Sequence, residues 1–227
     1  MKTNLLDNSR FKDLRIAITG ANGSLGQFLI KEFKGKGAYV VGLTHRKRNH
    51  QKSNEAAPDD WISWSCGEEK LLSKKLSNID ILILNHGFNP KGNIDFSTIN
   101  KAMEINSLSH WRLLQLFEDL AINENNLNQS NAKEIWINTS EAEIQIAFSP
   151  VYEITKRLTG EIVSLKKSKL LIEKSNSLII KKLILGPFKS NLNPQGLLNP
   201  EFVAKKIVNK AEKEDYLIIV TPNPITY

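Results

Sequence analysis

The chain has 227 residues, 41% of them hydrophobic, which suits a single domain over residues 1–227 with one buried core. Its 31 Lys and Arg against 24 Asp and Glu give a formal charge of +7, which favours anionic partners. It carries no helix-turn-helix, zinc-finger or RNA-binding motif, no Cys/His cluster and one cysteine, Cys66, so we expect no nucleic-acid partner, no metal site and no internal disulfide.

Short apolar runs alternate with longer amphipathic ones, a pattern typical of βαβ units around a parallel sheet. We predict strands at Arg15–Thr19, Tyr39–Thr44, Trp61–Ser65, Ile79–Leu84, Glu134–Thr139, Ser177–Leu185 and Tyr216–Thr221. Helices are expected between Leu25 and Gly35, at Ile99–Asn123, at Val151–Glu173 and after Pro200, with surface loops at His45–Asp60 and Glu124–Lys133. The fold class is therefore α/β, a three-layer doubly wound Rossmann fold with a parallel sheet of about seven strands.

No apolar run at the amino terminus and no stretch of about 18 apolar residues is present, which predicts a soluble, cytoplasmic protein.

A glycine-rich turn, Thr19-Gly20-Ala21-Asn22-Gly23-Ser24-Leu25-Gly26, joins the first strand to the first helix. Glycines let a backbone approach a pyrophosphate closely, and the helix start offers free N–H groups to the anion. The turn predicts a dinucleotide site, with the candidates Gly20, Asn22, Gly23, Ser24, Leu25 and Gly26.

The second strand ends in Thr44-His45-Arg46, where a carboxylate would bind the ribose hydroxyls of NAD. A carboxylate would repel a 2′-phosphate, whereas a guanidinium pairs with it. Thr44 and Arg46 are therefore candidates for the phosphate, and the predicted cofactor is NADP(H).

Tyr152 and Lys156 are four residues apart and so share one face of a predicted helix. A nearby ammonium favours the phenolate of a tyrosine, whose ordinary pKa is about 10. Ser140 lies twelve positions before Tyr152, at the carboxyl end of a predicted strand, where its hydroxyl can hold a substrate oxygen; Thr139 is the alternative.

In this order, these motifs resemble those of the short-chain dehydrogenase/reductase superfamily, over roughly residues 14–221. Asn85-His86-Gly87 resembles its Asn-Ala-Gly motif, Asn106 the asparagine of its Asn-Ser-Tyr-Lys tetrad, and Gly186-Pro187-Phe188-Lys189-Ser190 the segment lining the nicotinamide. The resemblance implies that Tyr152, Lys156, Ser140 and Asn106 are catalytic. It adds the cofactor-binding residues Asn85, Gly87, Tyr152, Lys156, Gly186, Pro187, Phe188 and Ser190.

The implied reaction is hydride transfer between NADP(H) and a small-molecule carbonyl or alcohol substrate, with Tyr152 exchanging the proton and Asn106 ordering a water near Lys156. Two alternatives stay open. The glycine spacing resembles the extended and atypical branches, which include nucleotide-sugar epimerases and dehydratases, although little chain follows Gly186 for a substrate lobe. A non-catalytic NADP(H)-binding sensor is the other.

The whole chain is also similar to bacterial proteins described as bifunctional sterol desaturase/short-chain dehydrogenases. Its four histidines, His45, His50, His86 and His110, form no iron-binding box, so the desaturase half of that description does not suit this chain.

The surroundings of the predicted site carry further expectations. Glu141 and Glu143 are interpreted as solvated charges at the pocket mouth, and His86 as a packing or hydrogen-bonding residue. The short segment 191–199 predicts an open, shallow substrate cleft, which a membrane surface or a partner subunit could complete. By analogy with relatives we expect a homodimer or homotetramer.

Overall fold

Seven parallel strands form one sheet in the computed structural model, which describes residues 9–45, 57–90, 94–125, 132–147, 149–213 and 216–221. The strands are β1 Arg15–Thr19, β2 Tyr39–Thr44, β3 Asp60–Ser63, β4 Ile81–Leu84, β5 Lys133–Ser140, β6 Leu178–Leu185 and β7 Leu217–Val220. Their order is β3-β2-β1-β4-β5-β6-β7. The predicted doubly wound α/β class is confirmed.

Helices cover both faces of the sheet. They are α1 Ser24–Gly35, α2 Ser73–Leu76, α3 Phe96–Met103, α4 Ser109–Asn125, α5 Pro150–Ile172 and α6 Pro200–Glu212. Helices α1 and α6 pack on one face, where Trp136 lies against Phe11 and Phe33 in a fully buried aromatic cluster. On the other face, α2, α4 and α5 bury a second apolar layer. Apolar contact with helices on both faces explains why the strands read as unbroken apolar runs.

The predicted helix Ile99–Asn123 is two helices, because five residues between α3 and α4, Glu104–Leu108, form a π-helical turn. Such a turn is a single widened turn within a continuous helix, too short to be located from hydrophobic periodicity.

Two short segments between β3 and β4 were missed, a 3₁₀ turn at Glu69–Leu72 and α2. Four residues are too few to show a helical period. Lys133, assigned to a surface loop, is instead a buried residue of β5 whose Nζ donates to the carbonyls of Ser77 and Ile79 at 2.9 and 2.6 Å. No helix in the described ranges is both long enough and apolar enough to cross a bilayer.

Candidate active site

The predicted site residues meet at the carboxyl edge of the sheet. Strands β1 and β4 are neighbours there, and the chain continues outward from them in opposite directions, to β2 and β3 on one side and to β5, β6 and β7 on the other. The loops after β1 and β4 therefore separate and leave a crevice, the usual ligand position in open α/β sheets.

The glycine-rich turn after β1 has no room for side chains at two of its glycines. Gly20 has φ +62, a conformation that favours glycine. A Cβ on Gly26 would lie 2.4 Å from the carbonyl oxygen of Gly20 and 2.8 Å from the Cα of Ala21. The start of α1 thus packs directly on the backbone of the turn.

The amino terminus of α1 lies beside this turn and offers donors to an anion. The helix begins after Gly23, its first turn holds no acidic residue, and no described side chain caps it. The first N–H groups therefore lack a side-chain acceptor, and the helix dipole adds a positive field. A pyrophosphate suits this turn in both shape and charge.

Thr44 and Asn22, both predicted cofactor ligands, are in contact at the end of β2. The Asn22 Nδ2 donates to the Thr44 hydroxyl at 2.8 Å, and Thr44 is buried. Arg46 lies outside the described residues, so its role toward a 2′-phosphate stays a prediction.

Ser140 and Tyr152 are brought together from two different elements. Ser140 ends β5 and Tyr152 is in the first turn of α5, which brings their hydroxyl groups close enough to interact. Burial raises the pKa of the Tyr152 hydroxyl, the charge of Glu141 adds to the rise, and the bond with Ser140 opposes it. Ser140 is itself fixed, because its Oγ accepts from the backbone N–H of Ala142 at 3.2 Å.

Lys156 lies one helical turn beyond Tyr152 and is buried. Its Nζ donates to the carbonyl of Asn138 at 3.1 Å and lies 5.8 Å from the centre of the Tyr152 ring. Burial lowers the pKa of Lys156 to about 8, against an opposing effect of the Glu143 carboxylate. A lysine with such a pKa is charged at neutral pH yet can release a proton slightly above it, which suits proton transfer.

Asn106 occupies the π-helical turn and is fully buried. Its side-chain oxygen accepts from the N–H of Phe88 at 2.7 Å, and its Nδ2 donates to the Phe88 carbonyl at 2.7 Å and to the Thr155 hydroxyl at 3.0 Å. Its backbone carbonyl accepts from the Thr159 hydroxyl at 2.6 Å. Asn106 therefore joins the loop after β4 to the helix that carries Tyr152 and Lys156.

Two asparagines connect the cofactor side to the catalytic side. The Asn85 Nδ2 donates to the Gly20 carbonyl at 3.3 Å, and the Asn85 side-chain oxygen accepts from the Asn138 Nδ2 at 2.7 Å. Because the Asn138 carbonyl also accepts from Lys156 Nζ, hydrogen bonds link three neighbouring strand ends from the glycine turn to Lys156. Asn138 was not predicted, since nothing in its sequence surroundings distinguishes it.

Glu143 differs from its prediction as a solvated charge. Its side chain is 14% exposed, is paired with Lys182 of β6, and lies against Gly160, where a Cβ would come within 2.2 Å of the carboxylate. The carboxylate is therefore part of the packed site, and it raises the pKa of Lys156. Glu141 stays partly exposed, and burial raises the pKa of its carboxyl.

His86 packs and forms hydrogen bonds, as predicted. Its Nδ1 lies 2.8 Å from the Thr19 hydroxyl, and its ring stacks on that of His110 with centroids 4.2 Å apart. Burial, with a contribution from the charge of Lys156, lowers the pKa of His86 to about 3, so the ring is neutral at physiological pH.

The segment after β6 folds back on itself beside the crevice. The N–H of Lys189 donates to the Leu198 carbonyl and that of Leu197 to the Pro187 carbonyl, at 2.9 and 2.6 Å. A cavity of about 450 Å³ lies between this segment and the loops after β4 and β5, lined by Asn89, Pro90, Ala147, Ser149, Leu192, Asn193, Pro194 and Gln195. This cavity is the candidate substrate cleft, and it lies open between the three segments that follow β4, β5 and β6.

A second cavity, about 370 Å³, lies at the opposite edge of the sheet beside Arg15 and Tyr39, where β1 and β2 begin. In the described part of the chain, no three His, Cys, Asp or Glu residues are grouped as metal ligands would be.

Comparison with known proteins places this site in a family context. Residues 16–163 match the model of the NAD dependent epimerase/dehydratase family. The monoglucosyldiacylglycerol epimerase of Synechocystis sp. is 40% identical over 218 residues, which cover 95% of this chain and 51% of that protein. The chain therefore spans about half the length of this curated relative.

Solved structures share the fold at low identity. A short-chain dehydrogenase from Burkholderia cenocepacia in complex with NADP superposes with a TM-score of 0.76 at 14% identity, over 92% of this chain and 89% of that one. A short-chain dehydrogenase from Sphingobium yanoikuyae in complex with NADPH gives 0.73 at 13% identity, over 91% and 87%.

Proposed function

The chain belongs to the NAD dependent epimerase/dehydratase family, within the short-chain dehydrogenase/reductase superfamily, and on that basis we propose that it is an NADP(H)-dependent enzyme that epimerises the sugar of a glycolipid. The observation that carries the chemistry is the cluster of Ser140, Tyr152 and Lys156 beside the glycine turn. The glycolipid substrate is supported by the 40% identity, over nearly the whole chain, to the monoglucosyldiacylglycerol epimerase.

Each residue of the cluster has a role in oxidising and re-forming one carbinol. Ser140 holds the reacting oxygen, and Tyr152 takes its proton and later returns it. Lys156, charged at neutral pH, favours the phenolate that Tyr152 passes through. A nicotinamide cofactor whose pyrophosphate is held at the glycine turn would supply the acceptor, and then the donor, of the hydride from the reacting carbon.

Epimerisation requires the oxidised sugar to turn and present its other face before it is reduced. The cleft of about 450 Å³ has room for a single hexose and is open between three loops. The site therefore suits a small sugar that rotates while its lipid remains outside.

A net dehydrogenase or reductase is the second candidate. Its support is the same cluster, since oxidation of a secondary alcohol to a carbonyl needs the same groups and differs only in releasing the product before the reverse step. A non-catalytic sensor would bind the cofactor without converting any substrate.

One experiment separates these functions. The protein is incubated with monoglucosyldiacylglycerol dispersed in detergent and with catalytic amounts of NADP⁺ or NAD⁺. The glycolipids are then separated and their sugars identified. We expect an epimeric sugar without accumulation of reduced nicotinamide. Reduced nicotinamide equal to the lipid consumed would indicate a dehydrogenase, and no product with either cofactor would contradict the proposal.

The predicted cofactor preference has its own test. Because Arg46 stands where NAD-binding relatives place a carboxylate, we expect NADPH to bind more tightly than NADH and Arg46→Ala to reduce the difference at least about tenfold. Isothermal titration of both cofactors checks this, with Lys205→Ala on the exposed face of α6 as the matched control. Equal affinities in the parent protein would contradict the assignment of Arg46.

A further inference from the structure

Exposed apolar side chains lie on the three segments that line the substrate cleft. Phe96, Ile146 and Leu197 are 77%, 73% and 76% exposed, and Ile94, Ile144 and Leu192 are partly exposed beside them in sequence. We call these six residues the apolar rim. Single exposed apolar residues are ordinary on protein surfaces, but a group around one opening indicates a contact surface.

The topology brings the rim together. Its residues come from the segments that follow β4, β5 and β6, which are neighbouring strands, so all three segments leave the same edge of the sheet. The same three segments line the substrate cleft, through Asn89, Ala147 and Leu192 among others. A surface that contacts the rim therefore also covers the entrance to the cleft.

No described residue that adjoins a rim residue in the chain is Lys or Arg, although the net charge of the chain is +7. The charged neighbours are Asp95, whose carboxylate accepts from the N–H of Thr98 at 2.7 Å, and Glu143, which is paired with Lys182. An anionic partner such as nucleic acid would gain little here. An uncharged apolar partner suits the rim better.

The size of the cleft decides where a lipid substrate would lie. A volume of about 450 Å³ matches a sugar rather than a sugar with two acyl chains, and of the six rim residues Leu192 alone lines the cleft. The acyl chains of a diacylglycerol therefore stay in their bilayer while the sugar enters the site.

We propose that the apolar rim inserts into the surface of a bilayer of neutral lipids and so presents the sugar of a membrane-held glycolipid to Tyr152. This inference rests on the proposed glycolipid substrate. Side chains such as Phe96, Ile146 and Leu197 at a bilayer surface bury apolar area in the interfacial region without spanning it.

The test is flotation of the protein with phosphatidylcholine vesicles that contain monoglucosyldiacylglycerol. We expect the parent protein to float, and the triple variant Phe96→Ser, Ile146→Ser, Leu197→Ser to lose at least about tenfold in vesicle affinity. The matched control is Leu171→Ser with Ile172→Ser, since both side chains are highly exposed at the far end of α5. All the substituted side chains are exposed, so both variants should fold, which circular dichroism checks.

Three outcomes would overturn the proposal. The parent protein could fail to float, the rim and control variants could lose affinity equally, or the rim variant could change the oligomeric state in sedimentation, which would make the rim a contact between copies of this chain.

Failure of the proposed function is distinguishable, because flotation needs no turnover. Activity on a water-soluble short-chain glucoside provides the complementary measurement. On this soluble substrate the rim variant should have the same turnover as the parent protein. If the parent protein floats with the vesicles but does not convert the glucoside, the docking surface is supported and the proposed epimerase activity is not.

Discussion

Replacing Tyr152 by Phe is expected to reduce turnover by about 100-fold to 10,000-fold while the fold and cofactor affinity are kept. The substitution removes only the hydroxyl, which is the group that interacts with Ser140 and the proposed proton carrier. The ring stays, so the packing against Lys156, whose Nζ lies 5.8 Å from its centre, is retained. Conversion of monoglucosyldiacylglycerol measures turnover, and calorimetric titration measures cofactor affinity.

The matched control for this loss is Tyr39→Phe. Tyr39 begins β2 at the opposite edge of the sheet, is partly exposed, and contacts Arg15 through its ring, which the substitution keeps. It should turn over like the parent protein. Near-parental turnover of Tyr152→Phe would show that the Tyr152 hydroxyl does not carry the proton.

Gly26→Ala is expected to weaken cofactor binding at least about tenfold and to destabilise the fold by about 1–3 kcal/mol. A Cβ at this position meets backbone atoms 2.4 and 2.8 Å away, and these cannot rotate aside as a side chain could. Helix α1 must therefore move off the glycine turn, which separates the helix dipole from the predicted pyrophosphate site. Thermal unfolding and cofactor titration measure the two effects.

Gly35→Ala at the other end of the same helix provides the control. A Cβ there meets nothing within 4 Å, so alanine should stabilise α1 slightly by its better helix propensity. If both variants bound the cofactor as the parent protein does, close contact at Gly26 would not matter for binding.

The motifs could be predicted from the sequence because each lies where a strand ends. Ser140 follows an apolar run and Tyr152 and Lys156 share a helical face, and these local relations determined that the three would meet at the carboxyl edge of a parallel sheet. The strand bounds could also be predicted, because each strand is a short apolar run. Strands β1 and β2 begin and end at the predicted residues.

The supporting groups could not be predicted, because they depend on contacts between distant segments. The Glu143 carboxylate is buried by Lys182, 39 residues away, and by the absence of a side chain at Gly160. Thr159 holds the Asn106 carbonyl across 53 residues, and the π-helical turn that carries Asn106 has no polarity signature. Thr155 and Thr159 lie four residues apart on one buried face of α5, and this spacing was the one local indication of the contact with Asn106.

The branch of the superfamily was harder to predict from the sequence than the fold. The glycine spacing favoured the extended branch, while the short chain after Gly186 argued against it, and the epimerase/dehydratase match shows that the spacing was the better guide. The glycine turn reports how α1 approaches the cofactor, which is why its spacing indicates the branch.

The central claim is that one carbinol carbon is oxidised and reduced again within the site, and isotope retention tests it most directly. Monoglucosyldiacylglycerol with deuterium on the ring carbons of its glucose is converted in ordinary water, and the epimeric product is analysed by mass spectrometry. We predict that the product keeps all of its carbon-bound deuterium. Replacement of one deuterium by solvent hydrogen at the inverted carbon would instead indicate proton abstraction from carbon and would contradict the role proposed for Ser140, Tyr152 and Lys156.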